Sequence, residues 1–280
     1  MDKSAEKILR DSIEELEPDH VFAAFSGGHD SLVATHIASK TPEFDGVFHA
    51  NTGIGIEETR EYVRETCKRH EWRLHEISPQ DCKDAGYKGL TYEEMVEKYG
   101  FPGAAQHQKA YTYLKERPIR HLKRTVKDRR TEKVMLVTGI RSHESERRMG
   151  NAVEYHIGPE GIAWSAPLFY WQKLDVTKYI DEHDLQRNPV EDYLHMSGEC
   201  LCGAYARPGE MEELQMWYPD AAEHIKDLEA KIADKDPQDF EVDEFEEKMR
   251  KWGWTQRNIK NPAQKRLPMC HDCRQFKGDT

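Results

Sequence analysis

Three groups of residues have the types and spacing to do chemistry. The first is Ser26-Gly27-Gly28-His29-Asp30-Ser31, directly behind the apolar run Val21 to Phe25. Two adjacent glycines let a backbone come close to an anion and turn its amides towards it, and a helix starting there adds partial positive charge. Ser26 and Ser31 add hydroxyl donors, and Asp30 is placed to hold a magnesium ion on bound phosphates. His29 reads as loop filler facing solvent. The second group is Asn51-Thr52-Gly53 with Glu57-Glu58-Thr59, then Gly139-x-Arg141-x-x-Glu144-Ser145-x-x-Arg148, then Pro167-Leu168 with Trp171. Arg141 and Arg148 can grip phosphates as bidentate donors, which lysine cannot imitate. Glu144 would orient one of them or bind a metal. The third group is Cys200-x-Cys202 with Cys270-x-x-Cys273. Four thiolates can close a tetrahedral zinc site or hold a [4Fe-4S] cluster, and spacing alone does not decide between them.

These groups need elements to hold them. Val21 to Phe25 reads as a strand covered on both faces, and Leu32, Val33 and Ile37 continue at helical spacing behind Ser31. Gly46 to Ala50 reads as a second strand that ends in the polar turn Asn51-Thr52-Gly53. A helix follows over Ile56 to Trp72, and Arg73 to Ile77 is a third strand. Short helical spacing covers Tyr92 to Tyr99, and a longer run covers His107 to Lys127 with a kink or break at Pro118. Val134 to Thr138 is the clearest later strand and runs into Gly139 and Arg141. Gly161 to Tyr170 holds another short strand, and Leu174 to His183 a helix that ends before Asn188-Pro189. Strand and helix alternate, so the fold class is α/β, a parallel twisted sheet with helices on both faces. Ligands in such folds lie at the carboxyl ends of the strands.

From about Glu199 the character changes to cysteines, aromatics and charged helices over Glu210 to Trp217, Ala221 to Ala233 and Val242 to Trp252. The division expected is a nucleotide-binding domain over 1–198 and a small helical cysteine region over 199–280. At 280 residues the chain can bury a sizeable core. Its 41 Lys and Arg against 52 Asp and Glu give a formal charge of -11, which argues against a generally nucleic-acid-coating surface. One local basic run stands out, from Lys115, Arg117, Arg120, His121, Lys123 and Arg124 to Lys127, Arg129 and Arg130. It is either a solvated helix face or a phosphate-backbone patch; Tyr111 and Tyr113 nearby read first as core packing and second as rings that could stack on bases. Met1 to Glu17 looks like an amphipathic helix and not a signal peptide, and no apolar run approaches membrane-spanning length. A cytoplasmic location is expected, where paired cysteines suggest a metal more than disulfides. Cys67 and Cys82 read as ordinary helix and loop residues.

Ser-Gly-Gly-x-Asp-Ser after a first strand resembles the PP-loop of ATP pyrophosphatases. The later segments resemble, in the same order, those of the phosphoadenosine phosphosulfate reductase branch of that family, over roughly residues 20 to 205. Asn51 stands where an aspartate is usual, and Glu57 where a proline is. The resemblance implies an adenine nucleotide alpha hydrolase-like fold. It implies ATP with magnesium at Ser26, Gly27, Gly28, Asp30 and Ser31, with further contacts from Asn51, Thr52, Gly53, Gly139, Arg141 and Glu144. Asp30, Ser31, Arg141 and Arg148 become the catalytic candidates.

A cysteine pair just after the Asn-Pro segment, joined by a distant Cys-x-x-Cys, is similar to the cluster-bearing reductases and to the DndC and SspD group. That tips the four cysteines towards a [4Fe-4S] cluster, with zinc the alternative. The implied reaction is adenylation of a nucleic-acid phosphate oxygen for replacement by sulfur, as in DNA phosphorothioate modification. A cysteine desulfurase would supply the sulfur, and other subunits would deliver the DNA, since the chain is acidic. The alternatives are an assimilatory adenylylsulfate or phosphoadenylylsulfate reductase, whose usual Glu-Cys-Gly-Leu/Ile-His tail is replaced here by Cys270-His271-Asp272-Cys273-Arg274-Gln275-Phe276, and a tRNA-thiolating enzyme. No membrane partner is expected, and the oligomeric state stays open.

Overall fold

A computed structural model describes residues 4–142 and 153–255. The chain divides into two compact units. The first comprises Met1–Ala50, Glu58–Ile77 and Pro118–Glu191, and the second Asn51–Glu57, Ser78–Arg117 and Asp192–Thr280. The first unit holds the sheet: β1 (His20–Ala24), β2 (Phe44–Ala50), β3 (Leu74–Ile77), β4 (Val134–Val137), β5 (Tyr155–Ile157) and β6 (Ile162–Ser165), in the order β3-β2-β1-β4-β6-β5. Every neighbouring pair is parallel except β5 with β6. The fold is therefore α/β with a mostly parallel sheet, as the alternation of apolar runs and helical spacing requires.

Burial explains the central strands. β4 is buried along its whole length and β1 at its three middle residues, which needs cover on both faces. On one face Val21, Ala23, Val47, Met135 and Val137 join a single core with helices α1 (Ala5–Leu16), α2 (His29–Ala38) and α3 (Glu57–Arg69) and with the helix Lys173–Glu182. α1 starts at the Ser4 cap, whose hydroxyl accepts the Lys7 N–H, and it buries Ile8, Leu9 and Leu16, so the amphipathic reading of this segment holds. Nearly every residue of α2 is buried.

Strand order reverses between β1 and β4. The loops leaving their carboxyl ends, Phe25 to Gly28 and Thr138 to Arg141, therefore flank a topological switch point, the place where open α/β sheets take ligands.

The second unit is helical, with Pro79–Asp84, Tyr92–Tyr99, His107–Tyr111, Glu210–Trp217 and Pro219–Ala233. The helices after residue 198 thus share a unit with 51–57 and 78–117. The kink or break expected at Pro118 takes the form of a π-helical turn, Thr112–Glu116, which interrupts the α-helical ladder and leads into the helix Arg117–Val126. Pro118 has no N–H to offer the Leu114 carbonyl, and the Arg117 N–H donates instead five residues back, to Thr112.

The helix expected over 242–252 is only a 3-10 turn, Glu247–Arg250. Its chain is tied down from outside. The Arg250 guanidinium donates to the Ile232 and Lys235 carbonyls at 2.5 and 2.8 Å, and the Trp252 N–H donates to Glu229 at 2.9 Å.

Candidate functional site

The loop between β1 and α2 is built for close approach. Gly27 has φ +81°, and a Cβ there would lie 2.6 Å from Thr59 Cγ2 and 3.3 Å from Val63 Cγ2. Only glycine fits both the conformation and the space. Asn188, fully buried, donates from Nδ2 to the Gly27 carbonyl at 2.9 Å and to Thr59 Oγ1 at 3.3 Å, and so pins the loop. Ser31 Oγ donates to the Gly28 carbonyl at 2.8 Å and lies 3.2 Å from Ser26 Oγ, so the two hydroxyls expected on the loop are gathered at the helix start.

The loop after β4 closes on the same place. A Cβ on Gly139 would lie 2.5 Å from the Asp30 carbonyl carbon and 2.6 Å from the Ser31 nitrogen, so this glycine lets the two loops touch. Arg141, next along, places Nε and a terminal nitrogen each 3.0 Å from Asp30 Oδ2. Asp30 Oδ1 is buried without a hydrogen-bond partner and has the Lys173 ammonium 3.8 Å away.

His29 corrects its expectation. It is buried at 5% exposure, with Nδ1 3.3 Å from Glu191 Oε1, while its backbone N–H donates to Glu191 Oε2 at 2.5 Å. The pull of α2's first amides on a carboxylate placed there accounts for this. Lys173 Nζ reaches Glu191 Oε1 at 2.6 Å. Burial works against the charged Glu191 carboxylate, but Lys173 and His29 outweigh it and hold its pKa below the usual carboxylate range.

Asp30, Ser31, Gly139 and Arg141 are thus brought together with Ser26 to Gly28. Lys173, Asn188 and Glu191 were not singled out for this site, although the Asn188-Pro189 pair was visible as a landmark. Glu144, Arg148, Cys270 and Cys273 lie outside the described residues.

Asn51, Thr52 and Gly53 belong to the second unit. There the Asn51 side chain accepts the Gly53 N–H at 3.1 Å, and the buried Thr52 hydroxyl donates to the Glu199 carbonyl at 2.7 Å. Residues 52–56 run beside 198–201, with the Leu201 N–H donating to Ile54 and the Ile56 N–H to Gly198. This lays the strand-end turn and the residues after it along 198–201, the stretch that carries Cys200. The buried Tyr92 donates its hydroxyl to the Cys202 carbonyl at 2.9 Å.

A hydrogen bond from the Cys200 thiol holds the Cys202 thiol down to about 7 against its burial, and the same contact and burial push Cys200 up. Burial opposes charge on Lys115, but Glu199, at 2.8 Å, and Cys200 hold its pKa above the ordinary lysine value. Glu199 Oε1 is buried without a hydrogen-bond partner. Among the described residues no group of three or more His, Cys, Asp or Glu gathers to hold a metal. Cys67, in α3, and Cys82 are buried, and burial pushes them up to about 12 and 11, so they stay as thiols near neutral pH; Cys82 lies in the helix Pro79–Asp84 and not in the expected loop, because the Ser78-Asp81 capping box starts a helix there.

The basic run is largely spent internally. Lys115 pairs with Glu199, Arg120 with Glu160 and Arg129 with Glu132, Lys127 donates to the Arg130 carbonyl, and Arg117 lies over the Tyr113 ring. This favours the solvated-face alternative over a phosphate-backbone patch. No helix among the described residues is long and apolar enough to cross a membrane.

Comparison with known proteins bears on the same stretch. Residues 20–196 match the model of the phosphoadenosine phosphosulfate reductase domain. An adenosine 5'-phosphosulfate reductase of Salinibacter ruber is 26% identical over 174 residues, 62% of this chain and 63% of that protein. One of Bacillus cytotoxicus is 25% identical over 182 residues, 65% of this chain and 72% of the relative. The chain thus spans less than two thirds of the Salinibacter protein's length. A crystal structure of a Candida auris phosphoadenylyl-sulfate reductase in complex with phosphate is 18% identical, with a TM-score of 0.48, covering 68% of this chain and 84% of that one. With the match spanning the whole sheet, the glycine loop and the Gly139–Arg141 turn, the chain belongs to the phosphoadenosine phosphosulfate reductase domain family.

Proposed function

We propose that the chain is an ATP pyrophosphatase that adenylates an oxygen of a nucleic-acid phosphate so that sulfur can replace it. The observation that carries this reading is Asp30 at the first turn of α2. One carboxylate oxygen is held by Arg141, and the other is buried with no hydrogen-bond partner beside the Ser26-Gly27-Gly28 loop. A polyphosphate on the loop amides would bring a magnesium ion within the reach of that second oxygen, and magnesium is commonly held by one carboxylate plus phosphates.

In the reaction an acceptor oxygen attacks the α-phosphorus, the bond to the bridging oxygen breaks, and pyrophosphate leaves with the electron pair. A sulfur nucleophile then displaces AMP together with the acceptor oxygen. With the polyphosphate on the loop, Arg141 beside Asp30, Lys173 beside Glu191 and the α2 amides would offset the charge that grows on pyrophosphate.

Cys202 is buried and Cys200 half-buried, the two lie close enough to share a hydrogen bond, and Cys202 is held down towards the thiolate; this suits a soft metal. With Cys270 and Cys273 they would hold a [4Fe-4S] cluster, or zinc in its place. Bound, a cluster supplies redox or sulfur-handling chemistry and zinc a structural pin. A cysteine desulfurase would donate the sulfur, and other subunits would deliver the DNA. Mass spectrometry of digested DNA from cells with and without the gene tests this reading. Loss of phosphorothioate dinucleotides on deletion is expected, and unchanged DNA would sink the DNA assignment.

A second reading, reduction of adenylylsulfate, is favoured by the names of the two reductase relatives. Sulfite formed from adenylylsulfate with thioredoxin, without ATP cleavage, would select it.

A further inference from the structure

We infer that the Glu191 carboxylate competes with polyphosphate for the amino-terminal end of α2, so that anion binding requires its displacement. This rests on the reading of the glycine loop as a polyphosphate site. Glu191 takes the donors that a terminal phosphate would use. Its Oε2 accepts the His29 N–H, and its Oε1 lies 2.6 Å from Lys173 Nζ and 3.3 Å from His29 Nδ1. A carboxylate with two oxygens and one charge is a small stand-in for a phosphate at a helix start.

The short segment 188–191 grips the loop from both sides. Asn188 holds the Gly27 carbonyl, and Glu191, three residues on, holds the amide two residues past Gly27. Asn188 is fully buried and also accepts the Val190 N–H at 3.0 Å, so the backbone is anchored and displacement falls to the Glu191 side chain.

Charge gives the same result. Among the carboxylates, lysine and arginine of this group, Asp30 and Glu191 balance Arg141 and Lys173 one for one, with the His29 imidazole also against Glu191 at 3.3 Å. With the Glu191 charge removed, one cation is left over and Lys173 is freed for phosphate. Glu191 then sets a threshold: a ligand must bring enough negative charge to win Lys173 and the His29 amide, which favours a polyphosphate over a monophosphate.

The test is calorimetric titration of the full chain with inorganic pyrophosphate in EDTA, for wild type, Glu191→Gln and Glu191→Ala. Melting curves confirm that each variant is folded. The glutamine variant keeps the shape and removes the charge. Binding is expected to tighten by roughly tenfold or more in the alanine variant, the scale of a charge-assisted hydrogen bond, and by less in the glutamine variant. Wild-type binding that is unchanged or weakened by both substitutions would overturn the inference and leave the loop reading intact. Weakening seen only when magnesium is added would make Glu191 a cation ligand and overturn the inference as well. If no form of the chain binds pyrophosphate, the loop reading falls and takes the inference with it.

Discussion

Replacing Gly27 by alanine puts two costs in one position, and they can be separated. At φ +81° an L-residue is strained by about 1–2 kcal/mol. The new methyl carbon would sit 2.6 Å from Thr59 Cγ2, closer than carbon atoms tolerate, and 3.3 Å from Val63 Cγ2, in a fully packed region. Overpacking of this kind costs a further ~1–3 kcal/mol. Together these lower the melting temperature by roughly 5–10 °C for a chain of this size.

Thr59→Ser removes the offending methyl while keeping the hydroxyl that meets Asn188 at 3.3 Å. The double variant should therefore recover most of the steric part, a coupling of about 1–2 kcal/mol by urea unfolding. Gly53→Ala supplies the control, since Gly53 has φ +76° but nothing within 4 Å of an added Cβ, so it pays strain alone. If Gly27→Ala is no worse than Gly53→Ala, or if Thr59→Ser adds to its damage instead of relieving it, the close packing of this loop is wrong.

Two further predictions concern pH. Burial, with Lys40, His183 and His70 nearby, holds His36 down to about 4 from 6.5, so between those values the unfolded chain takes up a proton that the folded one refuses. Stability therefore falls as pH drops from 6.5 towards 4, and His36→Gln should flatten the slope of urea unfolding free energy there; an unchanged slope would refute the assignment. Glu132 is held down to about 2 from 4.5 by hydrogen bonds from His20, Arg129 and the Asp128 N–H. Its contribution is complete above pH 4.5 and lost as pH falls towards 2, so Glu132→Gln should show a shallower acid transition than wild type.

The parts of the fold legible in the sequence are those whose signal is local. Val21 to Phe25 and Val134 to Val137 are continuous apolar runs, and both became central strands because both faces are covered. β5 escaped notice: it has three residues, and Ile157 is 60% exposed at the sheet edge, so neither length nor pattern marks it.

At the site, Asp30 and Arg141 were readable because a glycine motif and a strand end flag them. Glu191 was not, since its partner His29 lies 162 residues away and a single carboxylate two residues past a proline carries no pattern. The reading of His29 as solvent-facing failed for the same reason, because the group that buries it comes from the far end of the unit. The basic run left two readings open in the sequence, a solvated helix face and a phosphate patch, because the carboxylates that pair with Lys115, Arg120 and Arg129 are set by the fold: Glu199, Glu160 and Glu132.

The central claim is that ATP is cut between its α and β phosphates on the Ser26 to Ser31 loop. The direct measurement is phosphorus NMR of ATP incubated with the purified chain, magnesium and acceptor nucleic acid, for wild type and Asp30→Asn. AMP and pyrophosphate from the wild type, with neither from the variant, is the predicted result. ADP and phosphate, or the same products at the same rate from Asp30→Asn, would contradict it.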